Sequence, residues 1–88
     1  MKYKYSPAEE VLLKLIPARG KRIDSNELTE RYYAMKEKKP YYGKIFVNSS
    51  MRTLIEKIEA NNERFKIFRS DTKPYEYWKK IRRREQGE

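Results

Sequence analysis

Eighty-eight residues, 38% of them apolar, suffice for one small domain with a marginal core that can gain from a partner. Lysine and arginine outnumber aspartate and glutamate by 22 to 13, giving a net charge of +9, so charge alone favours a polyanionic partner. With neither cysteine nor histidine, disulfides, thiolate metal sites and the common zinc, haem and Ser-His-Asp arrangements are excluded.

The amino-terminal MKYKYSPAEE has no apolar run of the signal-peptide kind, and nowhere do about 18 apolar residues follow one another. The expectation is a soluble chain, cytoplasmic or nucleoid-associated. Aromatic content of 14%, including eight tyrosines, argues against a wholly disordered basic tail.

Ser6-Pro7-Ala8-Glu9 is a capping box with proline at the first helical position, which opens a helix near residues 7 to 16. Ala8, Val11, Leu12, Leu15 and Ile16 give it one apolar face, and Pro17 with Gly20 ends it. Lys21-Arg22-Ile23 suits a short strand anchored by one isoleucine. Asp24-Ser25-Asn26-Glu27 begins a second helix whose inner face is Leu28, Tyr32 and Met35, fading through residues 36–39 before Pro40.

Residues 36–43 turn basic and aromatic, a loop marked by Pro40 and Gly43, and Ile45-Phe46-Val47 follows as an apolar anchor or short strand. Asn48 or Ser49 can cap a third helix over Ser49 to Asn61. Its stripe is Met51, Leu54, Ile55 and Ile58, and Asn61-Asn62 is a left-handed stop. Phe65 to Arg69 reads as a strand, residues 70–74 as a loop and Tyr75 to Trp78 as a returning strand, making a hairpin. A basic tail, 79–88, completes a single domain whose core spans 6–81.

Three short helices, a small strand between the first two and a terminal hairpin resemble the winged helix-turn-helix family of DNA-binding domains, over roughly Ser6 to Ile81. The expected fold class is therefore α+β, a three-helix winged-helix domain with a carboxyl-terminal β-hairpin wing. The resemblance implies that the third helix enters the major groove while the wing, Phe65 to Trp78, touches the backbone or minor groove. The segment between helices two and three is longer than the tight turn common in that family.

The residues make a parallel case. Opposite the apolar stripe, the third helix carries Ser49, Ser50, Arg52, Thr53, Glu56, Lys57 and Ala60. Short hydroxyl side chains allow close approach, a helix amino terminus favours a phosphate, and arginine can donate bidentately to guanine. Arg52, Thr53 and Lys57 are the expected base contacts. Ser49, Ser50, Lys21, Arg22, Lys44, Arg69, Lys73, Lys79, Lys80, Arg82, Arg83 and Arg84 are the expected phosphate contacts. The competing reading is a plain cap followed by a solvated face.

Tyr41, Tyr42 and Phe46, on or beside the proline-glycine loop, can instead anchor a protein partner. Tyr75, Tyr77 and Trp78 read mainly as hairpin core, although basic aromatic stretches also suit base stacking. Glu37-Lys38-Lys39 has the Glu-x-Lys spacing of some metal-dependent nucleases but no acidic partner on a second strand, so no enzyme is expected. The expected partner is double-stranded DNA, with a homodimer or protein partner as an addition. No cofactor, membrane or small-molecule substrate is expected. A protein-interaction adaptor on the same frame and an RNA-binding protein remain the alternatives.

Overall fold

The computed structural model describes residues 2–36 and 38–81. Helix α1, Pro7–Leu15, starts as its capping box requires: Glu9 N–H donates to Ser6 Oγ at 3.2 Å and Ser6 N–H donates to Glu9 Oε1 at 2.8 Å. Arg19 and Gly20 then take left-handed conformations, φ 63° and 78°, turning the chain into β1, Ile23–Asp24. Asp24 caps helix α2, Ser25–Ala34, its Oδ1 accepting from Glu27 N–H at 2.7 Å. Leu28 and Tyr32 are buried, but Met35 is 63% exposed. Met35 is the carboxyl-terminal cap, and the tight turn of Lys36 N–H onto Tyr33 C=O takes its side chain off the buried stripe.

Helix α3 spans Gly43–Ala60, beginning six residues before the expected Ser49 and leaving residues 35–42 as the linker. Gly43, Val47, Met51, Leu54 and Ile58 are all buried, so one helical stripe continues back through the segment expected as a short strand. Gly43 allows this start: a β-carbon there would lie 2.8 Å from Tyr33 Cε2. Ile45-Phe46-Val47 is thus part of the first two turns, and Asn48, Ser49 and Ser50 are interior helical residues, not caps. Asn62, at φ 55°, supplies the left-handed stop.

Strands β2, Phe65–Arg69, and β3, Glu76–Ile81, form the hairpin, and the antiparallel sheet runs in the order β1-β3-β2. The returning strand extends past Trp78, so Lys79 and Lys80 are sheet residues, not tail. The hairpin register sets Phe68 opposite Trp78 and Ile67 opposite Lys79, while Tyr77 faces Ile23 on β1. The molecule is an α+β domain of three helices and a three-stranded antiparallel sheet. Its core joins Leu12 and Ile16 of α1, Leu28 and Tyr32 of α2, the α3 stripe, and Ile23, Ile67 and Tyr77 of the sheet. Tyr77 Oη donates to Asn48 Oδ1 at 2.7 Å, and burial pushes this phenol up to about 12.

Candidate nucleic-acid interface

The buried stripe of α3 leaves its opposite side facing outward, with Ile45, Ser49, Arg52, Thr53 and Glu56 exposed and Asn48 partly so. The Arg52 side chain is 77% exposed, and its 3.6 Å pair with Glu56 lies wholly at the surface. Such a pair contributes ~0.3–0.5 kcal/mol and leaves the guanidinium free to exchange partners. Ile45 and Asn48 join this face because α3 begins early; the continuation of the four-residue spacing through Val47 and Gly43 is the signal for them in the sequence.

Two hollows flank the outward face. One, between α3 and the hairpin, is lined by Arg52, Ile55, Glu56, Glu59, Lys66, Phe68, Arg69 and Tyr75. The other lies where α2 starts, between α3 and the hairpin loop, and is lined by Ser25, Lys44, Ile45, Asn48, Lys73, Pro74 and Tyr75. Tyr75 borders both, with Arg69 4.2 Å and Lys73 5.8 Å from its ring centroid. Ser25 N–H donates to Tyr75 C=O at 2.7 Å, tying α2 to the hairpin. Among the described residues, Ser25 Oγ is the buried side-chain polar atom that lacks a hydrogen-bond partner. That hydroxyl is buried, and the exposed polar groups of the hollow are Lys44 and Lys73 beside the amino terminus of α2, a setting that suits a phosphate.

The geometry therefore brings Arg52 and Arg69 to one hollow and Lys44 and Lys73 to the other, with Ser49 exposed on the outward face, while Thr53 borders a separate hollow with Tyr3, Glu56, Lys57 and Ala60. Others of the expected contacts lie elsewhere. Ser49 and Ser50 are not at a helix terminus, so the dipole argument does not apply to them, and Ser50 is partly covered one step round the helix. Lys57 turns from the outward face: its amine donates to Glu9 Oε1 at 2.8 Å and to Lys4 C=O at 2.9 Å. Lys79 Nζ reaches Leu13 C=O at 3.4 Å, against α1. Arg22 and Lys80 are exposed on the outer side of the sheet, and Lys21 is exposed in the turn before β1. Arg82, Arg83 and Arg84, like Glu37, lie outside the described residues.

The segment before α1 is held against the end of α3, which no local pattern announces. Asn61 Oδ1 accepts from Tyr3 N–H at 2.6 Å, its amide donates to Tyr3 C=O at 2.9 Å, and Tyr5 Oη donates to Glu63 at 2.6 Å. Beneath it, burial raises the Glu9 carboxyl, but the Lys57 amine and Ser6 N–H outweigh that and hold it below the usual carboxylate range.

Tyr41 is fully exposed, and Tyr42, Phe46, Ile45 and Met35 are each exposed as well. Among the described residues no cluster of acidic side chains could hold a metal ion, and no helix is long and apolar enough to cross a membrane. Compared with protein-family models, curated proteins and solved structures, the chain matches none.

Proposed function

We propose that this chain is a sequence-specific duplex DNA-binding domain of the winged-helix kind, with α3 in the major groove and the hairpin on the flanking backbone. The observation that carries the reading is the uncovered side of α3, bordered along its length by cations of the hairpin. At about 1.5 Å per residue the 18-residue helix is about 27 Å long, and its charges are unevenly divided. The first eleven residues, Gly43 to Thr53, carry Lys44 and Arg52 and no acid, whereas the last seven carry Glu56 and Glu59 and one cation, Lys57, which is turned to Glu9. Phosphates are met better by the first segment, so that segment enters the groove.

Arg52 then reads a base edge, with Thr53, Ser49, Asn48 and Ile45 as its neighbours, and the Ser25, Lys44 and Lys73 hollow seats a phosphate. Arg69 takes a second phosphate from the wing. A chain of this kind acts by occupying, bending or marking a site, as a small transcriptional regulator or an accessory of recombination or replication. The test is selection from a random duplex library at near-physiological salt. An enriched motif is expected, and a palindromic one reports a dimer; recovery of no motif defeats the reading.

A second reading has its own support. The exposed Tyr41, Tyr42, Ile45 and Phe46 make an apolar patch suited to anchoring a protein partner. It predicts a failed duplex selection together with loss of a captured partner on Tyr42→Ala. Enrichment of RNA over duplex in a competition assay would favour the RNA-binding alternative.

A further inference from the structure

The outer side of the sheet plays no part in the α3 reading. Alternation places Lys66 and Phe68 of β2 and Glu76, Trp78 and Lys80 of β3 on this side, opposite the core residues Ile67 and Tyr77. The register brings three planar groups to one level. The Arg22 guanidinium lies 4.0 Å from the Trp78 ring centroid, and the Phe68 and Trp78 rings stack at 5.7 Å with 17° between their planes. The row ends at Phe68, which is 37% exposed on the edge strand, whereas its neighbour Ile67 is 4% exposed.

One level further along, Lys66 faces Lys80 directly across the strands. Like charges so placed weaken a hairpin. Lys66 is compensated by Glu59 at 2.8 Å, while Lys80 has no ion pair among the described residues. Arg22, just before β1, and Phe68 on β2 flank Trp78 from either side, so the exposed end of the row is Phe68, and that aromatic end beside two facing cations matches a ligand with a flat face and an anion at each step. Unpaired nucleotides have that chemistry; a duplex does not, because its bases are already stacked.

We propose that the outer face of the sheet binds single-stranded nucleic acid, with bases stacking at the exposed Phe68 end of the Trp78 row and phosphates meeting Lys80 and Lys66, while Arg22 stays paired with Glu76 at 3.2 Å. The shared chemistry admits DNA or RNA. Phe68 and Lys66 also line the hollow beside α3, so a strand leaving a duplex on α3 can reach the platform over the β2 edge. That continuity rests on the duplex reading; the platform itself does not.

Trp78 is the sole tryptophan, so the fluorescence of the full chain reports on the platform directly. Oligothymidylate and oligouridylate of about 12 nucleotides, a length matched to such surfaces, are titrated beside a blunt duplex. Saturable quenching by either single strand is expected, and the stronger quencher identifies the polymer. Phe68→Leu should weaken single-strand binding about tenfold, and Lys80→Gln, a change at an exposed side chain, should lower its log–log salt slope by about 0.7. Absence of quenching by both strands up to about 100 µM, equal quenching by the blunt duplex, or wild-type binding by both variants overturns the proposal. Quenching by single strands without any duplex binding would remove the α3 reading and leave the platform standing. Duplex selection without single-strand quenching would do the reverse.

Discussion

Arg52 and Lys57 are cations five positions apart on one helix, yet α3 uses them in opposite ways. On the outward side Arg52 pairs, among the described residues, with Glu56 across 3.6 Å in open solvent. On the side under the amino-terminal segment, Lys57 is held between the buried Glu9 carboxylate and the Lys4 carbonyl, its side chain 24% exposed. A formal charge of +9 thus overstates what the protein can offer a polyanion. A cation is available only where its neighbours leave it one, and α3 has one flank committed to the fold and another left open.

The largest expected effect tests the committed flank. Lys57→Met should destabilise the domain by about 2–3 kcal/mol in urea unfolding, because Glu9 stays buried without its cation. For a domain this small that is a large share of total stability. Duplex affinity of the folded variant should be unchanged, and a loss of affinity as large as the loss of stability would put Lys57 back among the contacts.

Acid sharpens the same contrast. The folded-state Glu9 carboxyl lies below its ordinary value of 4.5, so its contribution is complete above pH 4.5 and is lost as pH falls through the folded value. Unfolding midpoints measured from pH 6 down to about 3 should fall for the wild-type chain. They should fall less for Lys57→Met, in which the carboxyl has lost the cation that depresses it.

A smaller effect belongs to the open flank. Replacing Lys44 and Lys73 together by alanine should weaken every duplex alike and reduce the log–log salt slope by about 1.8, near 0.9 for each phosphate contact. Stability should scarcely change, since Lys44 donates to the exposed Asn26 side chain and Lys73 lies on an exposed loop. A change in which sequence is preferred, with the slope intact, would make these lysines base contacts instead.

Local signals in the sequence were enough for the parts of the fold that local chemistry builds. The Ser6 and Glu9 box, the Asp24 cap, the Leu54 and Ile58 stripe and the bounds of β2 each depend on residues a few positions apart. The start of α3 does not. Ile45-Phe46-Val47 is β-branched and aromatic, Asn48-Ser49 has cap chemistry, and a short apolar run fits helix or strand equally. What decides it is the fit of Gly43 against Tyr33, a contact between helices. Arg52 and Thr53 were placed outward by periodicity alone and are exposed. The commitment of Lys57 to Glu9 joins residues 48 positions apart and leaves no mark in either segment. The sheet positions of Lys79 and Lys80 were hidden likewise, since a basic run reads as tail until cross-strand partners define it.

The most direct test of an open, base-reading flank is the site preference of Arg52→Ala, measured as the affinity ratio between a selected duplex and a scrambled one. Under the proposed reading the variant should unfold at the wild-type midpoint and lose about 1–3 kcal/mol on the selected duplex. Its affinity for the scrambled duplex should fall far less, so the ratio collapses. An undiminished ratio in a fully folded variant would contradict the assignment of α3 as the element that reads sequence.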